Sequence, residues 1–119
     1  MRYMMLIYSV EAPDGLAPAE EERIRDGHRR VMEEAAQKGV LIGAEPLAPT
    51  SAATTVRIQD GKPLVFDGPF AETKEQLAGY YILECKDLDE AVAWAAKIPT
   101  ECQGHQGSIE IRPMRWQPA

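Results

Sequence analysis

Few side chains in this 119-residue sequence can move a proton near neutral pH, and the two histidines, His28 and His105, head that short set. His28 falls among Ile24, Val31, Met32, Ala35 and Ala36, which recur at helical spacing and form one apolar stripe. An imidazole sheltered on such a stripe has the intrinsic pKa of a general base. The same position suits a hydrogen-bonded core histidine, and the residue types leave both readings open. His105 lies in a polar stretch with no carboxylate pair at ligand spacing, so no metal site is expected.

The second concentration of chemistry is Asp67-Gly68-Pro69-Phe70 followed by Glu72-Thr73-Lys74-Glu75. Two readings apply here as well. In one, Asp67 bonds nearby backbone N–H groups, Gly68 supplies conformational freedom and Pro69 fixes φ, so the motif is a turn that aims Phe70 into the core. In the other, the segment rims a pocket in which Asp67 is an acid or base and Lys74 or Arg57 holds an anionic substrate. Arg112, two residues from Glu110, is a further candidate for substrate contact. Tyr80 and Tyr81 read as packing residues; one hydroxyl at most is expected at a ligand, and Tyr80 is the one assigned. No glycine-rich phosphate loop opens a helix, and no cofactor is expected.

These residues need a scaffold, and hydrophobic periodicity supplies one. Tyr3, Met5 and Ile7 alternate with Met4, Leu6 and Tyr8, giving a strand that is apolar on both faces. Pro18 starts a helix with an acidic first turn that runs to about Lys38, and Gly39 stops it. Gly27 is an unexplained weak point inside that helix, consistent with close packing or with loose design. Val40 to Ala44 is a strand closed by Pro46 and Pro49. Thr54 to Gln59 and Lys62 to Phe66 form a hairpin about Asp60-Gly61. Gly79 to Cys85 is a second two-faced strand. Asp87, with Glu90 three residues on, caps a helix that buries Leu88, Ala91, Val92, Ala95 and Ala96 before Pro99. Trp94 is expected to pack, and Ser108 to Arg112 is the last strand. Trp116 follows in a tail, ready to dock on the body or on a partner.

The order is βαββαβ with an added hairpin: an α+β fold, one domain spanning 1–119, with two helices on one face of an antiparallel sheet. Two helices cannot cover both faces. The open face of the two apolar strands therefore calls for a second apolar surface, most simply that of a homodimer.

Composition narrows the function. A net charge of −6 disfavours nucleic acid, whose binding draws on clustered Lys and Arg. The basic run around Arg23, Arg25, Arg29 and Arg30 is interleaved with Glu20, Glu21, Glu22 and Asp26 and reads as an ion-paired, solvated helix face. The apolar run at the N-terminus is too short for a membrane span and lacks a cleavage site. Cys85 and Cys102 have neither zinc nor redox spacing, and the expected compartment is the cytoplasm.

The Asp67-Gly68-Pro69-Phe70 motif with Glu72-Thr73-Lys74-Glu75 and Gly79-Tyr80-Tyr81 resembles the signature of the DGPF subgroup of YCII-related proteins. The similarity extends through Gly39-Val40-Leu41, Leu47-Ala48-Pro49, Ala53 to Arg57, Trp94-Ala95, Ile98-Pro99 and Glu110 to Pro113. It implies a dimeric α+β barrel of ferredoxin-like protomers. It also implies a cofactor-free small-molecule lyase, isomerase or ligand binder. The alternative it implies is a non-catalytic regulatory or interaction dimer associated with an extracytoplasmic-function sigma factor. The family's first-helix histidine corresponds to His28. Its Asp-Pro pair after the second helix reads Ile98-Pro99 here, so the acid is absent, and Asp67 is the leading substitute.

Overall fold

The computed structural model describes residues 1–12, 14–100 and 107–118. His105 and Cys102 lie outside the described residues, as does most of the polar connection expected from Thr100 to Gly107.

Strand β1 (Arg2–Ser9) leads through a loop into helix α1 (Pro18–Gln37) and strand β2 (Leu41–Pro46). After a short 3₁₀ turn come β3 (Thr54–Gln59), β4 (Lys62–Asp67) and β5 (Gln76–Glu84). Helix α2 (Leu88–Ala95) and strand β6 (Ser108–Pro113) complete the order. Four strands form an antiparallel sheet in the order β2-β5-β1-β6, the ferredoxin-like arrangement, while β3 and β4 pair only with each other.

Local chemistry sets the ends of these elements. The Asp87 carboxylate accepts the Glu90 N–H at 2.9 Å and fixes the start of α2. Asp60 and Gly61 both take positive φ, 51° and 76°, as a two-residue hairpin turn of the primed type requires. One boundary departs from expectation. Proline was expected to end β2 at Ala44, yet Pro46 lies opposite Gly79 in the ladder. It is tolerated because β2 is an edge strand, so the N–H that proline lacks was not needed by a second neighbour.

The core lies between the sheet and the helices. Tyr3, Met5 and Ile7 of β1 and Tyr81 and Leu83 of β5 pack with Val31 and Ala35 of α1 and with Ala91 and Trp94 of α2. Trp94 is buried with Ala91, whereas Leu88 and Val92, expected on the buried face of α2, are 55 % and 51 % exposed; the Lys97 and Lys38 ammonium groups lie 4.7 and 5.6 Å from the Trp94 ring centre. The alternate residues Met4, Leu6, Tyr80 and Ile82 occupy the other face and are only half-buried. Two-faced strands thus meet helices on one side alone.

The outer face of α1 carries the ion pairs foreseen from its interleaved charges, including Glu20–Arg23 at 2.6 Å, Glu21–Arg25 at 3.0 Å and Asp26–Arg30 at 3.0 Å. Pairs this exposed contribute little stability each.

Candidate functional site

Helix α1 lays His28 against β5. Its Nδ1 lies 2.8 Å from the Tyr81 hydroxyl, and that same hydroxyl lies 3.4 Å from the His28 carbonyl oxygen. The ring centroids are 5.9 Å apart and tilted by 37°. Both contacts fit one arrangement: Nδ1–H donates to the phenol oxygen, the phenol O–H donates to the His28 carbonyl, and Nε2 keeps its lone pair. Burial holds the His28 pKa below its ordinary value, so the ring is neutral at pH 7 and Nε2 can accept a proton. Burial likewise pushes the Tyr81 hydroxyl up to about 12, so the phenol stays protonated beside it.

What brings the ring to Tyr81 is the tight seating of α1. A Cβ added to Gly27 would stand 2.8 Å from Cγ of Pro99, so the glycine lets the helix approach the segment that follows α2. Close packing, not loose design, accounts for it. Ile98 belongs to the buried core, so position 98 offers His28 no carboxylate.

The remaining candidates stand elsewhere. Asp67 ends β4 exposed, opposite Thr54 in the hairpin, and among the described residues its carboxylate has no hydrogen-bond or ion-pair partner. The turn after it is held by backbone instead: Gly68, at φ +101°, donates its N–H to Ala53 at 2.7 Å, and the Thr55 hydroxyl donates to the Gly68 carbonyl at 2.8 Å. Phe70 is 72 % exposed rather than aimed into the core, and the Arg57 guanidinium lies over its ring at 4.9 Å. The hairpin it leaves contributes no residue to the core among the described residues. Lys74 is exposed; beside it the Thr73 hydroxyl donates to the Glu75 carbonyl and the Gln76 amide donates to the Thr73 carbonyl at 2.6 Å. Arg112 is exposed and ion-paired with Glu110.

The sheet itself divides the set. Tyr80 lies opposite Leu6, and Arg112 opposite Met4, so both belong to the open face, whereas His28 and Tyr81 lie in the helix-covered layer. The sequence assigns Tyr80 to a ligand, whereas the tyrosine in contact with His28 is Tyr81. The signal that distinguishes them is parity, because Tyr81 shares a face with Leu83 and Cys85 and only that face is covered.

Among the described residues, two of the shallow concavities on the surface measure about 380 and 390 Å³. The first follows the charged face of α1 and the second surrounds Trp94 with Lys38 and Lys97; neither is lined by His28 or Tyr81. Among the described residues no group of His, Cys, Asp and Glu is placed to hold a metal ion, and no helix is long and apolar enough to cross a membrane.

Comparison with known proteins adds two findings. Residues 1–115 match the YCII-related domain. The chain is also 38% identical over 115 residues to an uncharacterized protein of Rhizobium meliloti (strain 1021), covering 96% of this chain and 92% of that relative.

Proposed function

From the premise that this chain belongs to the YCII-related domain family, we propose that it is a homodimeric, cofactor-free lyase, isomerase or binder of small molecules in which His28 is the proton acceptor. The observation that carries this reading is the 2.8 Å contact between His28 Nδ1 and the Tyr81 hydroxyl. It fixes the ring through one nitrogen and leaves the other for a substrate proton. Tyr81 is a positioning residue: its oxygen accepts from Nδ1–H in both the neutral and the protonated state of the ring. No carboxylate is needed for that role, which is how a family member without the acid at position 98 retains a usable base. The homodimer supplies the apolar cover that Met4, Leu6, Tyr80 and Ile82 lack in one chain.

The test is solvent-deuterium incorporation into a panel of small ring compounds bearing an acidic C–H. Exchange should be catalysed by the wild type and lost in His28→Gln. In Tyr81→Phe its pH profile should move. Equal exchange by wild type and His28→Gln for every compound would remove His28 from the chemistry.

A second reading, the non-catalytic interaction dimer with a sigma-factor partner, is favoured by one fact: the two concavities described above, among the described residues, are not lined by His28. Recovery of a sigma factor from the native host by wild type and His28→Ala alike would support it.

A further inference from the structure

We infer that the corner where β1 begins and β6 ends is a docking surface for an acidic peptide segment of a partner protein, with Trp116 as its anchor. The inference stands apart from the chemistry proposed for His28 and concerns a second recognition surface.

Trp116 is 83 % exposed, yet the backbone that carries it is fixed. The Met114 N–H donates to the Arg2 carbonyl at 2.9 Å, which extends the β1–β6 pairing one residue past Pro113. The Gln117 side chain then closes a bracket on the same residues. Its oxygen accepts the Arg2 N–H at 2.6 Å, and its amide donates to the Arg2 carbonyl at 3.0 Å and to the Met114 carbonyl at 2.6 Å. Trp116 lies within that bracket. An exposed indole on an ordered backbone has little left to lose on docking, and tryptophan is a side chain on which binding energy concentrates.

The charge at this corner is opposite to that of the chain, which carries −6 overall. The strand ends and tail that meet here bring the guanidinium groups of Arg2, Arg112 and Arg115 and the Met1 ammonium together with only two carboxylates, Glu84 and Glu110. Both carboxylates are committed within the chain: Glu84 lies 3.1 Å from the Met1 ammonium, and Glu110 pairs with Arg112. Among the described residues the Arg2 and Arg115 side chains have no ion-pair partner, and the Arg2 Nε is buried without an acceptor. Arg112 stands opposite Met4, so it is the diagonal neighbour of Arg2 on one sheet face, and of these two like charges only one is paired. A carboxylate from outside would relieve that repulsion and match the guanidinium fork.

The charge distribution selects the occupant. A phosphate backbone or an anionic bilayer presents negative charge far beyond the corner, where the rest of this acidic chain repels it. A short acidic segment meets the corner alone, its carboxylates on Arg2 and Arg115 and an apolar side chain against Trp116. The Arg2–Glu84 row lies beyond the Met4–Ile82 row, at the rim of the apolar surface proposed for the second copy rather than within it.

The experiment is selection from a displayed library of short random peptides on wild type, on Arg115→Glu/Trp116→Ala, and on Lys62→Glu, which changes the net charge equally but on the hairpin. Peptides enriched on wild type should be rich in Asp and Glu and carry an apolar residue. A labelled winner without tryptophan should shift the Trp116 emission to the blue, bind Lys62→Glu as it binds wild type, and bind the corner variant about 10-fold or more weakly. Trp94, the other tryptophan, is buried, and its emission reports that the corner variant is folded. No enrichment on wild type, winners without an acidic excess, equal binding by the corner variant, or equal loss in Lys62→Glu overturns the inference. So does Trp116-dependent binding to phosphatidylserine vesicles in place of peptides, which would make the partner a bilayer. Loss of the dimer in Trp116→Ala with no peptide enriched would assign the corner to a second copy and overturn it too.

Discussion

Gly27 and Pro99 are in such close contact that a methyl group on the glycine would lie 2.8 Å from Cγ of the proline ring. The contact seats α1 and fixes where His28 meets Tyr81. Gly27→Ala gains up to about 1 kcal/mol in helix propensity but overpacks this contact by about 1–3 kcal/mol. With the full propensity gain, the expected net effect is a loss of up to about 2 kcal/mol in denaturant titration. Adding Pro99→Ala should recover part of it, and a double-mutant cycle measures the coupling.

Acid sensitivity follows from His28. Its folded pKa lies below the unfolded value of about 6.5, so on acidification the unfolded chain takes up the proton first. Stability from this group is full above about pH 6.5 and falls as pH drops from there to the folded pKa. His28→Gln should flatten that part of the stability–pH curve, and urea titrations at several pH values between about 4 and 7 would read it.

Alkali should act through Tyr81. Its folded pKa of about 12 stands above the unfolded value of about 10, so stability is kept below pH 10 and lost as pH rises between the two. Ultraviolet titration of the four tyrosines should find one that ionises last, and Tyr81→Phe should remove that step.

The turn that follows β4 separates its two signature residues. Gly68 at φ +101° occupies a region that side chains rarely adopt, so Gly68→Ala should lower stability by about 1–3 kcal/mol. The exposed Asp67 has no bonded partner among the described residues, and Asp67→Ala should change stability by no more than about 0.5 kcal/mol. A large loss in Asp67→Ala would restore the side-chain turn expected from the sequence.

Cys85 should be silent to reagents. Burial, first, and the neighbouring Glu90 push its thiol up to about 11, and it is 2 % exposed. In a Cys102→Ser background, a thiol reagent should label the folded protein far more slowly than the denatured chain.

The scaffold was legible because its rules are local. Alternation in Tyr3–Tyr8 and Tyr80–Cys85, the Asp87–Glu90 cap and the Asp60-Gly61 turn each declare themselves within a few residues. The site was not, because its defining bond joins residues 53 apart. Knowing that His28 finds Tyr81 requires knowing which sheet face the helices choose, and two-faced strands conceal that choice. The same concealment hid the fate of Phe70: an apolar residue after a tight turn reads as core, but among the described residues its hairpin contributes none to the core.

Tyr80 and Tyr81 are consecutive, yet one belongs to the open sheet face and the other to the layer under the helices. A single backbone step thus separates two compartments that can mutate independently. From Tyr80 to Glu84, beyond the register shift at Ala78, substitutions at even-numbered positions should alter the open face and leave the His28–Tyr81 contact alone, while odd-numbered ones should do the reverse. Families that drift in partner choice while conserving chemistry, or the converse, should record that drift as alternating columns along β5.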